Sequence, residues 1–543
     1  MSSGFVEVPT PVNEPVRSYA PGAAERDALT EKLAQVASET VEAPHVIAGV
    51  PHHGDTTFQV RAPHDHALHL ADVHQTTHDT VGAAITAALD ARTDWGRMPF
   101  EDRAAVFLRA ADLLAGPWRD RINAATILGQ SKSWQQAEID AACEAIDFLR
   151  FNVAFARELL ANQPLSAAGA WNRMDYRPLE GFVLAITPFN FTAIALNLPT
   201  APALMGNTVV WKPSEKQALA AHWTMRMLIA AGLPPGVINL VHGDGALVSD
   251  VAMDSPDFAG LHFTGSSTVL QGLWRRSAER LDTYHSFPRI VGESGGKDFV
   301  VAHPSAPVDP LVVALGRGAF EYQGQKCSAA SRAYIPHSLW PQVRDGLADL
   351  ASALPVGNVA DPTVFLGAVI DEHAFRRHTD AIGAAVDAGA KVVTGGETDD
   401  RQGWFVDPTV LVTEDPRSPT MTTELFGPIL TVYVYDDARW SETLDLVDAT
   451  SPYALTGGVF AQDRQVIDEA ATRLRHAAGN FYINDKPTGS VVGQQPFGGA
   501  RRSGTNDKAG SVLNLQRWTS PRSIKETFVP PTDWRYPHLD SAR

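Results

Sequence analysis

The sequence predicts an α/β protein with two lobes, because short apolar strands alternate with helical segments in two successive series. Strands that alternate with helices are joined by right-handed crossovers, and these give parallel sheets covered by helices on both faces. The two series meet near Cys327, and the joint between the lobes is expected at the flexible stretch Gly292–Gly296. The 543 residues suffice for two to four domains, since one domain usually holds about 100–200 residues.

The individual elements follow from apolar runs and from the Gly and Pro residues that end them. The stretch from Gly181 to Trp211 has no charged residue, but prolines interrupt it, so it predicts strand, turn, helix and strand rather than a membrane span. The first series comprises strands at Gly181–Ile186, Thr208–Lys212, Val237–Val241, Ala259–Phe263 and Phe299–Ala302, with helices after Asn190, at Lys216–Ala231, after Ser266 and from about Asp309. The second comprises strands at Arg332–Ile335, Lys391–Thr394, Ile429–Tyr435 and Gly457–Phe460, with a helix from about Trp340.

Two further segments, Ala170–Arg177 and Ser520–Phe528, have the alternating pattern of partly exposed strands. They predict a small β flap that pairs with another subunit, so a homodimer or higher homo-oligomer is expected. Residues 1–25 are expected to wrap the surface, and the Pro-containing C-terminus to form a tail.

Composition excludes several classes of function. A formal net charge of −17 argues against nucleic acid or an anionic membrane as the main partner. Two cysteines are too few for a disulfide scaffold and fit a reducing compartment. The first thirty residues have neither a secretory signal nor the Arg-rich, acid-free composition of a mitochondrial presequence, so a cytoplasmic location is expected.

Cys327 is the first candidate for chemistry. It follows a predicted helix and lies in a turn that is expected to open a second one, where the positive end of the helix and the neighbouring Lys326 would lower the pKa of the thiol. An isolated cysteine is also typical of a buried structural residue. Cys143 fits that second interpretation, because it shares a helix face with Ile139 and Ile146 and is predicted to be core.

Two polar residues suggest a catalytic role for this cysteine. Glu293 follows the apolar strand Arg289–Val291 and precedes two glycines, a position that suits a mobile general base but also an ordinary loop glutamate. Asn190 follows a strand in a turn, where its amide can donate to a developing oxyanion or simply cap a helix.

Three short strings are candidates for binding a dinucleotide. The first string closes a strand and carries a Lys and a Glu that can bond ribose hydroxyls. The second joins a strand to the start of a helix, a position that suits a pyrophosphate. The third combines an acidic and an aromatic residue before a strand and could hold a second ribose and its ring. None has the GxGxxG pattern, so each is weak alone. The residues concerned are Lys212, Glu215, Gly265, Ser266, Glu424 and Phe426.

The order and spacing of these residues resemble the aldehyde dehydrogenase superfamily from about residue 45 to residue 528. The resemblance rests on Asn190, Lys212, Glu215, Gly265, Glu293, Gly296, Cys327, Glu424, Phe426 and Pro496-Phe497-Gly498-Gly499. It implies a Rossmann-like NAD-binding domain with an N-terminal arm, an α/β catalytic domain and a small β oligomerisation flap with a tail. The expected ranges are 1–160 and 180–294 for the first, 295–507 for the second, and 161–179 and 508–543 for the flap and tail.

The resemblance also implies a catalytic role for each candidate residue. Cys327 would attack the aldehyde carbon, Asn190 and the backbone N–H of Cys327 would hold the oxyanion, NAD would accept the hydride, and Glu293 would activate the water that hydrolyses the thioester. No metal is expected. One departure is Leu270, which stands where many members have a second glycine in the phosphate turn, so a closer approach of helix and cofactor is lost.

Five strings are similar to one branch of the superfamily, the pyrroline-5-carboxylate (glutamate semialdehyde) dehydrogenases: TPFNFT at 187–192, GESGGKD at 292–298, YQGQKCSAA at 322–330, TGSVVGQQPFGG at 488–499 and GTNDK at 504–508. This similarity implies L-glutamate γ-semialdehyde as the substrate and a possible link to proline dehydrogenase. The residues expected to hold the substrate carboxylate are Ser328, Gly489 and Ser490, those expected to form the apolar walls are Phe191 and Phe497, and Glu144 matches a family glutamate near the active site.

Three alternatives remain open at this point. Another semialdehyde dehydrogenase, for example one acting on succinate semialdehyde, would keep Cys327, Glu293 and Asn190 but lack the Gly489-Ser490 anchor. A catalytically silent scaffold would not need to retain Cys327 and Glu293. A CoA-acylating enzyme is disfavoured because the water-activating glutamate is present.

Overall fold

Two seven-stranded sheets form the two halves of the fold. The computed structural model describes residues 6–539, so the first five and last four residues of the expected arm and tail lie outside the described residues. Its strands are β1 Val41–Ala43, β2 His45–Ile47, β3 Val50–His52, β4 Thr57–Ala62, β5 Asp65–His74, β6 Ala170–Arg177, β7 Phe182–Thr187, β8 Thr208–Pro213, β9 Ile238–Leu240, β10 Phe258–Gly265, β11 Arg289–Ser294, β12 Asp298–Ala302, β13 Ala330–Pro336, β14 Lys391–Thr394, β15 Thr398–Asp399, β16 Phe405–Val406, β17 Thr409–Thr413, β18 Ile429–Tyr435, β19 Tyr453–Ala454, β20 Thr456–Phe460, β21 Asn480–Ile483, β22 Ala500–Arg501 and β23 Ser520–Thr527.

Helices cover the faces of the sheets and build a large part of the first half. They are α1 Ala24–Ser38, α2 His78–Arg97, α3 Phe100–Ala115, α4 Arg119–Gln130, α5 Trp134–Ala137, α6 Ala145–Ala161, α7 Thr192–Leu204, α8 Ala218–Ala230, α9 Gly245–Asp254, α10 Ser267–Glu279, α11 Val308–Phe320, α12 Trp340–Ala353, α13 Glu372–Asp387, α14 Pro419–Thr422, α15 Trp440–Thr450, α16 Arg464–Arg473 and α17 Val512–Arg517. A π-helical segment, Glu138–Glu144, joins α5 to α6. Among the described residues, no helix has both the length and the hydropathy to cross a membrane.

The first large sheet has the strand order β11-β10-β7-β8-β9-β2-β3. Its five strands from β11 to β9 are parallel, and β2 and β3 extend it antiparallel at one edge. The uncharged stretch of the sequence becomes β7, α7 and β8, as predicted, and its strands are buried on both faces. Ligands of such sheets bind at the carboxyl ends of the strands, and this is where Asn190, Glu215, Ser266 and Glu293 lie.

The second large sheet has the order β14-β17-β18-β13-β12-β20-β21, with β14 antiparallel at the edge. A separate antiparallel pair, β6 and β23, forms the flap, with Ala170 opposite Thr527 and Arg177 opposite Ser520. The predicted fold class is thereby confirmed. The three-stranded sheet β1-β5-β4 was not predicted, since β1 has only three residues and the longer strands β4 and β5 carry many polar residues.

The joint between the halves differs from its prediction. Gly292 and Glu293 belong to β11, and the stretch is buried and tied to the loop after β22, because Ser294 N–H donates to Ser503 O at 2.7 Å and Thr505 N–H donates to Gly292 O at 2.8 Å. The expected flexible bend is therefore a hydrogen-bonded strand end.

Candidate active site

A cavity of about 310 Å³ opens beside Cys327. It collects residues from the N-terminal arm, the π-helical segment, the start of α7, the cysteine loop and the loop after β21. Every residue predicted to contact the substrate lines it: Glu144, Phe191, Ser328, Gly489, Ser490 and Phe497.

Cys327 also lines two smaller cavities. One of them contains Glu293, and the other contains Glu424 and Phe426. The cysteine therefore lies where three spaces meet: one lined by the predicted substrate residues, one by the predicted base and one by predicted cofactor residues.

The loop that carries Cys327 has an unusual backbone. Tyr322, Gln323 and Gly324 have φ angles of 53°, 54° and 64°, in the left-handed region that non-glycine residues rarely adopt. Buried side chains hold this turn: the Tyr322 hydroxyl donates to Gln130 O at 3.0 Å, and the Gln323 amide donates to Ser131 O and Ala368 O, each at 2.8 Å. Strain of this kind is typical of functional sites.

The expected electrostatic activation of Cys327 is wrong. No helix begins at this residue; the turn leads instead into strand β13. Burial, together with the charges of Glu293, Asp298 and Glu424, raises the pKa of the thiol well above its usual range. The resting thiol is therefore protonated, and it needs a base or a nearby positive charge to become a nucleophile.

Lys326 does not supply that charge freely. Its ammonium donates to Glu321 Oε2 at 3.0 Å, and the same oxygen accepts from Lys486 Nζ at 2.9 Å. Burial and the Coulombic attraction of the two lysines act on Glu321 in opposite directions, and the lysines prevail, so that its pKa falls to about 2. This buried triad links the cysteine loop to the loop after β21.

Glu293 is held at the end of β11. Its Oε1 accepts a hydrogen bond from Gly499 N–H at 2.9 Å. A Cβ atom at Gly499 or at Gly504 would lie 3.0 Å from that oxygen, so both glycines leave room for the carboxyl group. Burial raises the pKa of Glu293 well above its usual range, and the Gly499 hydrogen bond only partly offsets this.

Asn190 is buried beside the cysteine loop. Its side-chain amide donates to Gln325 O at 3.0 Å, two residues before Cys327. An amide nitrogen carries two N–H groups, so one donor remains for a ligand.

A buried ion pair behind Phe191 escaped the sequence analysis. Lys132 donates to Asp140 Oδ2 at 2.6 Å, and the ammonium lies 4.0 Å from the centre of the Phe191 ring. Asp140 also accepts from the N–H groups of Thr192 and Ala193, which begin α7. The sequence feature that could have revealed this ion pair is a lysine and an aspartate in an otherwise apolar region. The pair fixes one apolar wall of the cavity.

Glu144 ends the π-helical segment and lines both the main cavity and the Glu293 cavity. Burial and the neighbouring Asp140 raise its pKa. π-Helical turns are frequent at functional sites. Cys143, one residue earlier, is buried as predicted.

The predicted carboxylate anchors approach each other from two loops. Ser328 Oγ lies 2.7 Å from Thr488 Oγ1, so the residue after the nucleophile is joined directly to the loop of Gly489 and Ser490.

The N-terminal arm closes this region: the Asn13 amide donates to Val492 O and to Asp147 Oδ2, each at 2.8 Å. The arm therefore lines the cavity rather than only wrapping the surface, a contact across 479 positions that no local pattern reveals.

The first set of predicted cofactor residues lies along neighbouring strand ends. Lys212 closes β8, and burial lowers the pKa of its amine. Glu215 is exposed in the short 3₁₀ turn that follows. Ser266 caps α10, its hydroxyl accepting from Val269 N–H at 3.3 Å, and Gly265 precedes it at the end of β10. Leu270, the departure noted above, packs against Gly292, where a Cβ atom would lie 2.5 Å from its Cδ1.

The second set lies in the other half. Glu424 Oε1 accepts from Gly296 N–H at 3.1 Å, and burial raises the pKa of this carboxyl group to about 7. Phe426 has a φ of 57°, and its ring meets Phe189 edge-on at 5.7 Å. Lys297 is buried close by, and within the described residues its amine has no hydrogen-bond partner.

The model of the aldehyde dehydrogenase family matches residues 50–524. The chain belongs to the aldehyde dehydrogenase family.

Individual relatives narrow the branch of this family. The chain is 49% identical to the mitochondrial delta-1-pyrroline-5-carboxylate dehydrogenase of Dictyostelium discoideum, over 98% of this chain and 96% of the relative. It is also 49% identical to the human enzyme of the same name, over 97% and 94%. Both relatives are named for pyrroline-5-carboxylate, so this comparison does not favour the alternative substrate, succinate semialdehyde.

Solved structures of aldehyde dehydrogenases agree with the fold. The Mycobacterium tuberculosis delta-pyrroline-5-carboxylate dehydrogenase bound with NAD is 59% identical, has a TM-score of 0.96, and is matched over 99% of this chain and 100% of that chain. Proline utilization A from Bdellovibrio bacteriovorus is 29% identical with a TM-score of 0.91, over 97% of this chain and 55% of that one.

The expectation of a cytoplasmic location is wrong by this comparison. The relatives from Dictyostelium, cattle and humans are all named mitochondrial. The sequence argument used the acidic residues among the first thirty, and such local composition is a weak guide to cellular location.

Proposed function

We propose that this protein oxidises L-glutamate γ-semialdehyde, the open form of 1-pyrroline-5-carboxylate, to L-glutamate with NAD, the second step of proline degradation. The observation that carries the proposal is the cavity in which Cys327 lies beside Ser328, Gly489 and Ser490. An aldehyde with an amino acid head group needs donors of little bulk near the nucleophile, and hydroxyl and backbone N–H groups meet that need.

Cys327 loses its thiol proton to solvent and attacks the aldehyde carbon as the thiolate, and the resulting oxyanion is held by the free N–H of the Asn190 amide and the backbone N–H of Cys327. NAD, when bound, would supply the acceptor for the hydride that leaves this carbon. A thioester on Cys327 remains, and Glu293 removes a proton from the water that hydrolyses it. Phe191 and Phe497 form the apolar walls around the aliphatic chain, and Glu144 lies at the edge of the substrate space.

The residues present fit NAD. Lys212, near the end of β8, and the exposed Glu215 after it would bond the adenosine ribose. The N-terminus of the thirteen-residue helix α10, with Gly265 and Ser266, suits the pyrophosphate. Glu424 and Phe426 share a cavity with Cys327 and would contact the second ribose and the nicotinamide.

The test compares steady-state NADH formation from pyrroline-5-carboxylate and from succinate semialdehyde. The proposal requires a clearly higher kcat/KM for pyrroline-5-carboxylate. A higher kcat/KM for succinate semialdehyde would contradict it.

The flap supports a second proposal, that the protein is a homodimer or a higher homo-oligomer joined through β6 and β23. A two-stranded sheet leaves backbone groups unpaired at both edges, and the side chains of Trp171 and Phe528 on it are 51% and 60% exposed. Light scattering on the intact protein and on Trp171→Glu would show a change to monomer if the flap forms the interface.

We also propose that a separate proline dehydrogenase supplies the substrate, since proline utilization A contains a matching region within a longer chain.

A further inference from the structure

Three metal-ligating side chains converge at a place apart from the active-site cavities. His53 Nδ1 lies 3.1 Å from Glu42 Oε1, His74 Nε2 lies 3.0 Å from the same oxygen, and the two imidazole nitrogens lie 3.3 Å from each other. None of the three residues takes part in the proposed reaction.

These distances approach the spacing of ligands around a small cation. A tetrahedral zinc ion with bonds of about 2.0–2.2 Å keeps neighbouring ligand atoms about 3.3–3.6 Å apart. The separation of the two imidazole nitrogens lies within this range, and the two nitrogen–oxygen distances are slightly shorter. Hydrogen bonds from both imidazoles to the carboxylate oxygen account for the two nitrogen–oxygen distances, but they bring two N–H groups to face each other with their nitrogens 3.3 Å apart. Two imidazole lone pairs and a carboxylate oxygen, by contrast, are all attracted to a cation placed between them.

The surroundings hold the ligands in place. His74 ends β5 and is buried, and its Nδ1 faces Gly54 in either tautomer. With Nδ1 unprotonated, Gly54 N–H donates to it at 3.0 Å; with Nδ1 protonated, it donates to Gly54 O at 2.9 Å. The second tautomer leaves Nε2 free as a ligand, and it is the one that a metal-bound His74 would adopt. Gly54 can take this position beside the His74 ring only because it has no side chain, since a Cβ atom there would lie 2.4 Å from Gln75 O.

The three residues join two sheets of the fold. Glu42 lies on β1 and His74 on β5 of the three-stranded sheet, whereas His53 follows β3 of the first large sheet. A bound ion would therefore fasten the turn between β3 and β4, where the chain passes from one sheet to the other.

We propose that Glu42, His53 and His74 form a structural site for a divalent transition-metal ion of the zinc class. Two imidazoles and one carboxylate are the ligands that such ions prefer. The side chains of His53 and Glu42 are 55% and 64% exposed, which leaves the fourth coordination position open to water.

Zinc binding to the full-length, untagged protein tests the site. Metal-stripped protein is titrated with ZnCl₂, and bound zinc is measured by elemental analysis after desalting, for the unchanged protein and for His53→Ala and Glu42→Gln. The unchanged protein should hold one zinc more per chain than His53→Ala, and Glu42→Gln should bind that zinc at least tenfold more weakly. Zinc on the Cys327 thiol is common to all samples and cancels in the difference.

His52→Ala is the matched control, because His52 is the adjacent exposed histidine and lies outside the cluster. It should keep the additional zinc. Zinc should raise the unfolding temperature of the unchanged protein and of His52→Ala, but not of His53→Ala. Equal zinc contents in the unchanged protein and His53→Ala, or an equal loss in His52→Ala and His53→Ala, would overturn the proposal.

Discussion

Gly499 N–H donates a hydrogen bond of 2.9 Å to Glu293 Oε1, and this bond holds the carboxyl group at the rim of the cavity that it shares with Cys327. Burial raises the pKa of the same carboxyl group well above its usual range. The raised pKa favours the protonated form of the expected base, in which it cannot accept a proton from water.

The first prediction concerns pH. A carboxyl group acts as a base only when ionised, so the rate of thioester hydrolysis should increase as the pH rises through the elevated pKa of Glu293. Single-turnover hydrolysis measured as a function of pH should show this increase. A flat profile would mean that Glu293 is not the base.

The second prediction concerns Glu293→Gln. The amide keeps the size of the side chain and leaves thioester formation intact, but it cannot activate water. About one NADH per site should therefore appear as a burst, followed by slow turnover. A slow reaction without a burst would show that Glu293 acts before the thioester forms.

The third prediction concerns the two cysteines. Cys327→Ala should retain less than about 1% of the activity, a loss of about 3 kcal/mol or more in transition-state stabilisation, while NAD still binds. Cys143→Ala is the control and should retain most of the activity, because burial and the charge of Glu138 raise the pKa of the Cys143 thiol to about 12 and keep it unreactive. Equal losses in the two variants would point to packing rather than chemistry.

The fourth prediction concerns the choice of cofactor. Glu215 would place its negative charge near the 2′-phosphate of NADP, and like charges at close range cost on the order of 1–4 kcal/mol. The enzyme should therefore prefer NAD by about tenfold or more, and Glu215→Gln should reduce this preference. Comparable kcat/KM values for the two cofactors in the unchanged enzyme would show that Glu215 points elsewhere.

The fifth prediction concerns the substrate carboxylate. One charge-assisted hydrogen bond contributes about 1.5–3 kcal/mol. Ser490→Ala should therefore raise KM for glutamate semialdehyde by about 10- to 150-fold and leave KM for pentanal nearly unchanged. Ser328→Ala should act in the same way with an added effect on rate, and glutamate should inhibit competitively with the aldehyde. Equal weakening for both aldehydes would mean that the Ser490 loop is only a structural turn.

Much of the fold could be predicted because its sheets are built from local apolar runs. The strands Ile429–Tyr435 and Lys391–Thr394 have the predicted bounds, since each is a run of apolar and β-branched residues. The turn at Cys327 could not be predicted, because its left-handed residues Tyr322 and Gln323 are held by buried bonds to α4, the residue after it and the loop before α13.

In the active site, too, the positions of the residues could be predicted and their environment could not. The resemblance carried by the order and spacing of residues predicted Cys327, Glu293 and the expected anchors Ser328 and Ser490, and the structure brings these residues to shared cavities. The electrostatics could not be read from the sequence, because the thiol's pKa depends on burial and on Asp298 and Glu424, which a sequence does not place near it. The pairing of Lys326 with Glu321 is likewise a matter of side-chain direction.

The most direct test of the account is mass spectrometry of Glu293→Gln after mixing with NAD and pyrroline-5-carboxylate. The account predicts that the intact protein gains the mass of one glutamyl group, and that peptide mapping places this group on Cys327. The adduct should disappear with hydroxylamine, which cleaves thioesters. An adduct on Cys143, or no adduct while NADH is still produced, would contradict the claim that Cys327 carries the glutamyl thioester.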